Sequence, residues 1–193
     1  MSVKSIMIVG VGGQGTLLAS RLLGSALLSQ GYDVKVSEVH GMSQRGGAVV
    51  TYVKYGENVA SPVVRQGEAD IILAFELLEA ARWFDFLKPE GKLVVNTRQI
   101  DPMPVVSGSA VYPEGVLKTL RAAGAAITAI DALPLAEQAG SEKAVNVVLI
   151  GAMASQTDLP VEVWQAAIKA TVPPKFLEMN LKAFELGFNY KQS

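Results

Sequence analysis

A glycine-rich hexapeptide near the amino terminus has the residue types and spacing of a phosphate-binding turn. The sequence GVGGQG, residues 10–15, satisfies G-x-G-x-x-G and follows an apolar run typical of a buried strand. Glycines at these positions let the backbone turn tightly and approach a phosphate at the positive amino end of a helix. The alternative is that they only permit close helix-to-sheet packing. The residues predicted to contact a cofactor here are Gly10, Gly12, Gly13, Gln14 and Gly15.

A second polar cluster, EVHGMSQRGG, occupies residues 38–47. Glu38 ends the second predicted strand, where the dinucleotide-binding motif places an acid that contacts a ribose. His40 is the only histidine of the chain and is a tentative candidate for proton transfer. The alternative is a solvated loop whose glycines only form turns. The remaining residues predicted to bind a cofactor are Ser43, Gln44, Arg45, Gly46 and Gly47.

Several kinds of chemistry are excluded by residues that the sequence lacks. There is no cysteine, so the chain supplies neither thiolate nucleophiles nor cysteine ligands for iron–sulfur clusters. Thr16 follows Gly15 directly, without the lysine of a nucleotide triphosphatase phosphate loop. No Ser-His-acid order, carboxylate pair or metal-ligand spacing stands out, so no metal site is predicted.

The motifs lie on a regular alternation of predicted strands and helices. Strands that alternate with helices specify a mostly parallel sheet joined by right-handed crossovers. We therefore expect an α/β fold: a single doubly wound, Rossmann-like sheet with a helical C-terminal flank, forming one domain over residues 1–193. The predicted strands are 3–9, 32–39, 48–55, 69–75, 92–96 and 125–130, with a short hairpin returning through 59–64 and a turn at 88–91. The predicted helices are 16–28, 76–84, 114–123, 142–155, 160–170 and 174–186.

Charge and hydropathy narrow the choice of partners. Seventeen Lys and Arg against 18 Asp and Glu give a net charge of -1, so no charge surplus points to nucleic acid or an anionic membrane. Half of the residues are hydrophobic and only 18% are charged, which indicates that part of the surface belongs to an interface. No apolar window is long enough to span a bilayer. We expect a soluble, cytoplasmic protein.

Five further side chains can be explained by structural roles. Glu76 is expected to provide a favourable charge at the start of a helix. Trp83, Phe84 and Phe86 are expected to pack in the core or at an interface. Asn146, in an otherwise apolar helix, could be either a buried hydrogen-bonding residue or a ligand contact.

Four segments together resemble the gamma subunits of 2-oxoacid:ferredoxin oxidoreductases, and most of all those of the indolepyruvate branch. The segments are GVGGQG, EVHGMSQRGG, ADIILAFE and KAVNVVLIGA, and the resemblance covers nearly the whole chain. It implies oxidative decarboxylation of a 2-oxo acid to an acyl-coenzyme A. Alpha- and beta-type partner subunits would hold thiamine diphosphate, magnesium and iron–sulfur clusters, and ferredoxin would accept the electrons.

By the same resemblance, this chain would be a non-autonomous subunit that completes the active site. It has no G-D-G motif followed by Asn for diphosphate and magnesium, and no cysteine for a cluster. The turn at residues 12–15 and the loop at residues 40–47 would face the partner subunit and the acyl acceptor, coenzyme A. The chain alone would hold no cofactor, apart from coenzyme A, and could form a homodimer when isolated.

Two other function classes stay open from the residues alone. One is a self-contained NAD- or flavin-binding enzyme that uses the glycine turn and Glu38. The other is a non-catalytic nucleotide-binding or assembly module.

Overall fold

The computed structural model describes residues 2–40 and 47–191, except for the side chain of His40. Within these residues, six strands form one sheet in the order β2-β3-β1-β4-β5-β6. Their bounds are β1 Lys4–Val11, β2 Asp33–His40, β3 Ala48–Gly56, β4 Ala69–Ala74, β5 Leu87–Asn96 and β6 Ala126–Ile130.

The sheet is mixed, with a parallel part and an antiparallel part. Strands β1, β4, β5 and β6 pair in parallel, whereas β3 runs antiparallel to both of its neighbours, β1 and β2. The first crossover therefore connects β1 to a parallel strand, β2, that is not its neighbour. The predicted doubly wound, mostly parallel sheet is confirmed.

Helices cover both faces of the sheet. They are α1 Thr16–Ser29, α2 Leu77–Arg82, α3 Met103–Val106, α4 Val116–Ala122, α5 Ala132–Ala139, α6 Val145–Ala154, α7 Val161–Thr171 and α8 Leu177–Phe188. One core cluster joins α1 and α5–α8 to the sheet, and a second joins α2 and α4 to the opposite face. Alternate residues of β1 divide between them: Ile6 and Ile8 face the first cluster, Met7 and Val9 the second.

Helix α6 lies at the centre of the helical flank. Every residue from Asn146 to Ala154 is buried, so the helix has no polar face, as expected of a helix enclosed on all sides. It crosses α8 at two glycines, Gly151 and Gly187. A Cβ atom at Gly187 would lie 1.9 Å from the Val148 carbonyl oxygen, so the two backbones are in direct contact.

Two predicted elements are wrong. Residues 59–64 form no strand, because Pro62 lacks an N–H group and the Val59 N–H donates instead to Asp33 Oδ2 (2.8 Å). The predicted turn at residues 88–91 lies inside β5, which begins at Leu87 opposite Ala69 and accommodates Pro89 beside a shift in register.

The predicted helices include neither the four-residue α3, which lies in a segment predicted as a loop, nor α5. Asp131 caps α5 by accepting a hydrogen bond from the Leu133 N–H (3.4 Å). No helix in the described part of the chain is long and apolar enough to cross a membrane.

Candidate functional site

The carboxyl ends of β1 and β4 form the switch point of the sheet. The chain leaves β1 through α1 on one face, and leaves β4 through α2 on the other face. In open α/β sheets, the crevice between two such strands is where ligands bind. The glycine turn at residues 12–15 lies at this point, directly after β1.

The backbone of the turn requires glycine at two positions. Gly13 and Gly15 have φ values of +91° and +82°, in the left-handed region that side-chain-bearing residues rarely adopt. Gly15 caps α1 without a side-chain hydrogen bond, and the first turn of α1 contains no acidic residue. The positive end of α1 is therefore neither capped nor neutralised by a side chain of this helix.

Gln14 is held by both ends of its amide. Its Oε1 accepts a hydrogen bond from the Val11 N–H (2.7 Å), and its Nε2 donates to the Phe75 carbonyl (3.0 Å). A Cβ atom at Gly10 would lie 2.8 Å from Gln14 Oε1 and 2.9 Å from Phe75 Cβ. Gln14 thus ties the turn to the end of β4, and Gly10 allows that close approach.

Asn146 joins the turn to the start of α6. Its Nδ2 lies 3.4 Å from the Gly15 carbonyl, to which it donates, and its Oδ1 accepts from the Val147 N–H (2.9 Å). The residue is 7% exposed. Asn146 is therefore a buried hydrogen-bonding residue, which is one of the two possibilities that the sequence leaves open.

A groove of about 550 Å³ runs along the turn. One further wall comes from the segment after β5, with Arg98 and Ile100. Another comes from the 3-10 turn before α6, with Lys143, and from the start of α6, with Asn146. The amino ends of α1 and α6 therefore meet at one groove, which also contains two exposed cations. Glu142 is the one acid among the described residues that line the groove.

The two cations of the groove were missed from the sequence. Arg98 and Lys143 have no ion-pair partner within residues 2–40 and 47–191. Their sequence positions give only partial information: Arg98 follows the predicted strand 92–96, and Lys143 lies in the first turn of the predicted helix 142–155 and opens the segment KAVNVVLIGA. Neither position points to the glycine turn, so only the assembled fold brings the two residues there.

The second predicted cluster meets the first at one hydrogen bond. The Gly12 N–H donates to the Gly47 carbonyl (3.1 Å), so the two segments adjoin at the end of β1. The other predicted residues of this cluster, Ser43, Gln44, Arg45 and Gly46, lie outside the described residues, as does the His40 side chain. Their proposed roles stay predictions.

Glu38 occupies a different place from the ribose-binding acid of dinucleotide-binding proteins. It pairs with Thr51 of β3, which pairs in turn with Ile8 of β1. Two strand spacings, about 10 Å, therefore separate Glu38 from β1. Its side chain lies beside Leu17 and Arg21 of α1, so this geometry gives no support to a self-contained NAD- or flavin-binding site.

Two buried carboxyl groups lie on the other side of β4. Glu76 is 1% exposed and caps α2 by accepting from the Glu79 N–H (2.9 Å), which confirms its placement at a helix start. Burial raises the pKa of Glu79, although Arg82, 3.3 Å away, acts in the opposite direction. The described residues contain no group of three or more metal-ligating His, Asp or Glu side chains.

Fold and groove together define a class: a doubly wound α/β protein with a basic groove at its switch point. A family model described as pyruvate ferredoxin/flavodoxin oxidoreductase matches residues 5–190. The chain belongs to this family.

Individual relatives agree with this assignment. The chain is 45% identical over 192 residues to indolepyruvate oxidoreductase subunit IorB of Thermococcus kodakarensis, covering 97% of this chain and 95% of that one. It is 32% identical over 188 residues to 2-oxoglutarate synthase subunit KorC of Methanothermobacter thermautotrophicus, covering 95% and 93%. The gamma subunit of a keto/oxoacid ferredoxin oxidoreductase from Geobacter sulfurreducens PCA superposes with a TM-score of 0.71 at 26% identity, over 96% of each chain. The family predicted from the sequence is confirmed, and the relatives are subunits of oxidoreductases.

Proposed function

We propose that this chain is the gamma-type subunit of a 2-oxoacid:ferredoxin oxidoreductase and that its groove holds the acyl acceptor, coenzyme A. The complex converts a 2-oxo acid to an acyl-coenzyme A. On the alpha- and beta-type partner subunits, thiamine diphosphate with Mg²⁺ supplies the decarboxylation chemistry, and iron–sulfur clusters carry electrons to ferredoxin. We expect the complex in the cytoplasm.

The observation that carries the proposal is the convergence of positive groups on the groove at the glycine turn. Coenzyme A bears a diphosphate and a ribose phosphate. Arg98 and Lys143 offer charge-assisted hydrogen bonds to such groups. The amino end of α1 adds the partial positive charge of its backbone N–H groups, which no side chain caps. These residues would bind and orient the acceptor while the partner subunit supplies the rest of the cavity.

The loop at residues 40–47 would form the edge of the same site. Support comes from the hydrogen bond between Gly12 and Gly47, which joins this loop to the turn. Arg45 would offer a planar cation to a phosphate or carboxylate, and His40 would hold or move a proton during acyl transfer. Arg45→Ala should raise the KM for coenzyme A or the oxo acid, and His40→Gln should lower kcat and change the pH profile.

Assembly is the control for both loop variants. Size-exclusion chromatography beside steady-state kinetics distinguishes an active-site role from a subunit contact. Weakened assembly with normal kinetics of the remaining complex would refute the active-site assignment.

The subunit assignment is tested by comparing the isolated chain with the reconstituted complex. We expect the isolated chain, as monomer or homodimer, to be colourless and inactive with thiamine diphosphate, a 2-oxo acid and a viologen dye. Adding the partner subunits should restore turnover. Turnover by this chain alone would contradict the proposal.

The acceptor groove is tested by removing its cations within the complex. Arg98→Ala and Lys143→Ala should each raise the KM for coenzyme A by about threefold to tenfold, because each removes an exposed charge partner of a phosphate. Lys118→Ala, at an exposed lysine of α4, is the matched control and should leave the KM unchanged. If all three variants have the same KM as wild type, the groove does not bind coenzyme A.

A further inference from the structure

Two consecutive residues directly after β4, Phe75 and Glu76, contact both walls of the groove at the glycine turn. They do not line this groove themselves. Phe75 is fully buried, and Glu76 is 1% exposed. Neither has a role in the function proposed above. Their hydrogen bonds nevertheless reach the glycine turn on one side and the Arg98 segment on the other.

The backbone of Phe75 holds the glycine wall. Its carbonyl accepts hydrogen bonds from Gln14 Nε2 (3.0 Å) and Asn96 Nδ2 (3.2 Å). Its N–H donates to the Val9 carbonyl (2.8 Å). The end of β4 is therefore bound to β1, to the turn that follows β1, and to the end of β5.

The side chain of Glu76 holds the Arg98 wall. Its Oε1 accepts from the Ile100 N–H (3.1 Å) and from the Tyr112 hydroxyl (2.5 Å). The Leu77 N–H donates to the Arg98 carbonyl (3.1 Å). The segment from Arg98 to Tyr112 is thus attached to the start of α2 near both of its ends.

A carboxylate suits this position because it can only accept. Both oxygens of Glu76 face donors: Ile100 and Tyr112 at Oε1, and the Glu79 N–H at Oε2. An amide would turn its NH₂ group toward one of them. Glu76 has no ion-pair partner in the described part of the chain, so these donors supply the hydrogen bonds that a buried carboxyl group requires. Burial and the hydrogen bond to Glu76 raise the pKa of Tyr112, which keeps its hydroxyl protonated as a donor.

We propose that Glu76 is a positioning residue that, through Ile100 and Tyr112, fixes the Arg98 segment as one wall of the coenzyme A groove. The inference rests on the proposed function, since it takes Arg98 as a phosphate-binding residue. Glu76 itself touches neither substrate nor acceptor. With Phe75 holding the glycine turn, the distance between the two walls is set at one point of the chain.

The first test removes only the Tyr112 hydroxyl, in the complex with the partner subunits. Tyr112→Phe should raise the KM for coenzyme A by about fivefold with kcat unchanged, because only part of the free energy of the lost hydrogen bond is transmitted to acceptor binding. Amide hydrogen exchange of the peptide containing Ile100 should become faster. Tyr190→Phe is the matched control, because the Tyr190 hydroxyl donates to the Ala129 carbonyl (3.1 Å), away from the groove.

The second test changes Glu76 itself. Glu76→Gln should raise the KM for coenzyme A and the Ile100 exchange rate, whereas Glu79→Gln, at the neighbouring buried carboxyl, should change neither. In an Arg98→Ala background, Tyr112→Phe should change the KM by less than about twofold, because both substitutions act through the same wall.

The outcomes separate this inference from the proposed function. If Arg98→Ala raises the KM but Tyr112→Phe and Glu76→Gln do not, positioning by Glu76 is overturned and the groove stands. A fall in kcat at constant KM in Glu76→Gln would also overturn it. If Arg98→Ala and Lys143→Ala both leave the KM unchanged, the groove assignment fails. The exchange rate at Ile100 then decides whether Glu76 holds the segment at all, and an unchanged rate overturns the attachment.

Discussion

Two pairs of glycines in this chain use the absence of a side chain for opposite purposes. Gly151 of α6 and Gly187 of α8 lie where the two helix backbones touch. A Cβ atom at Gly151 would lie 2.2 Å from the Phe184 carbonyl oxygen, and one at Gly187 would lie 1.9 Å from that of Val148. Here the space that a side chain would occupy is filled by the opposite backbone.

The glycines of the turn after β1 are constrained by conformation instead. Gly13 has a φ of +91°, yet a Cβ atom there would meet nothing within 4 Å. Gly15, with a φ of +82°, is intermediate, since a Cβ atom would lie 2.5 Å from Asn146 Nδ2. The comparison separates glycines that close a core from glycines that keep a groove open, and substitution should distinguish them.

The largest effect is expected at the helix contact. Gly187→Ala should lower the free energy of unfolding by about 3 kcal/mol or more, because only separation of α6 and α8 relieves the clash with backbone atoms. Thermal and denaturant unfolding would measure it. Gly24→Ala in α1 is the control, because a Cβ atom there meets nothing within 4 Å and its φ is not positive. This variant should raise the free energy of unfolding by about 0.5–1 kcal/mol. Equal stability of the two variants would contradict the comparison.

Gly15→Ala should have an intermediate effect. The positive φ and the contact with Asn146 should together lower the free energy of unfolding by about 2 kcal/mol. Movement of the Asn146 side chain can relieve the contact but not the strain of the positive φ. The double variant Gly15→Ala/Asn146→Ala should therefore show less than the sum of the two single effects. Strict additivity of the two single effects would show that the residues at positions 15 and 146 do not interact.

Gly13→Ala should have the smallest effect on folding, about 1 kcal/mol from the positive φ alone. Gly13→Val adds a branched side chain at the groove. Compared with Gly13→Ala, it should raise the KM for coenzyme A while lowering the melting temperature little further. A Gly13→Val complex with wild-type kinetics would show that the turn is purely structural.

The glycine turn could be predicted from the sequence because its evidence is local. An apolar strand, glycines at fixed spacing and a helical pattern follow one another without interruption, and each constrains the next. The same holds for the placement of Glu76 at a helix start. Both predictions depend on fewer than about ten consecutive residues, within the reach of periodicity and capping rules.

The rest of the site depends on which strands pair. The apolar pattern of residues 48–55 predicts a strand, but nothing in it indicates that the strand lies between β2 and β1. The sequence therefore places Glu38 next to the turn. Arg98 and Lys143 reach the groove only through the order of the sheet. Residues 59–64 resemble a strand in sequence because they are mostly apolar, and Val59 and Val64 are indeed buried. Pro62, however, has no N–H group for a hydrogen-bonded strand pair. Helix α5 is short and contains Pro134, so its sequence shows no clear helical repeat of apolar residues.

The hydrogen bond between Asn146 and Gly15 joins residues 131 positions apart. During synthesis the glycine turn leaves the ribosome long before α6 exists, so the groove cannot be complete in a nascent chain that lacks the last third of the sequence. Loop closure over such a distance has a larger entropic cost than closure of a local contact. The acceptor groove is therefore complete only after α6 has docked against the glycine turn.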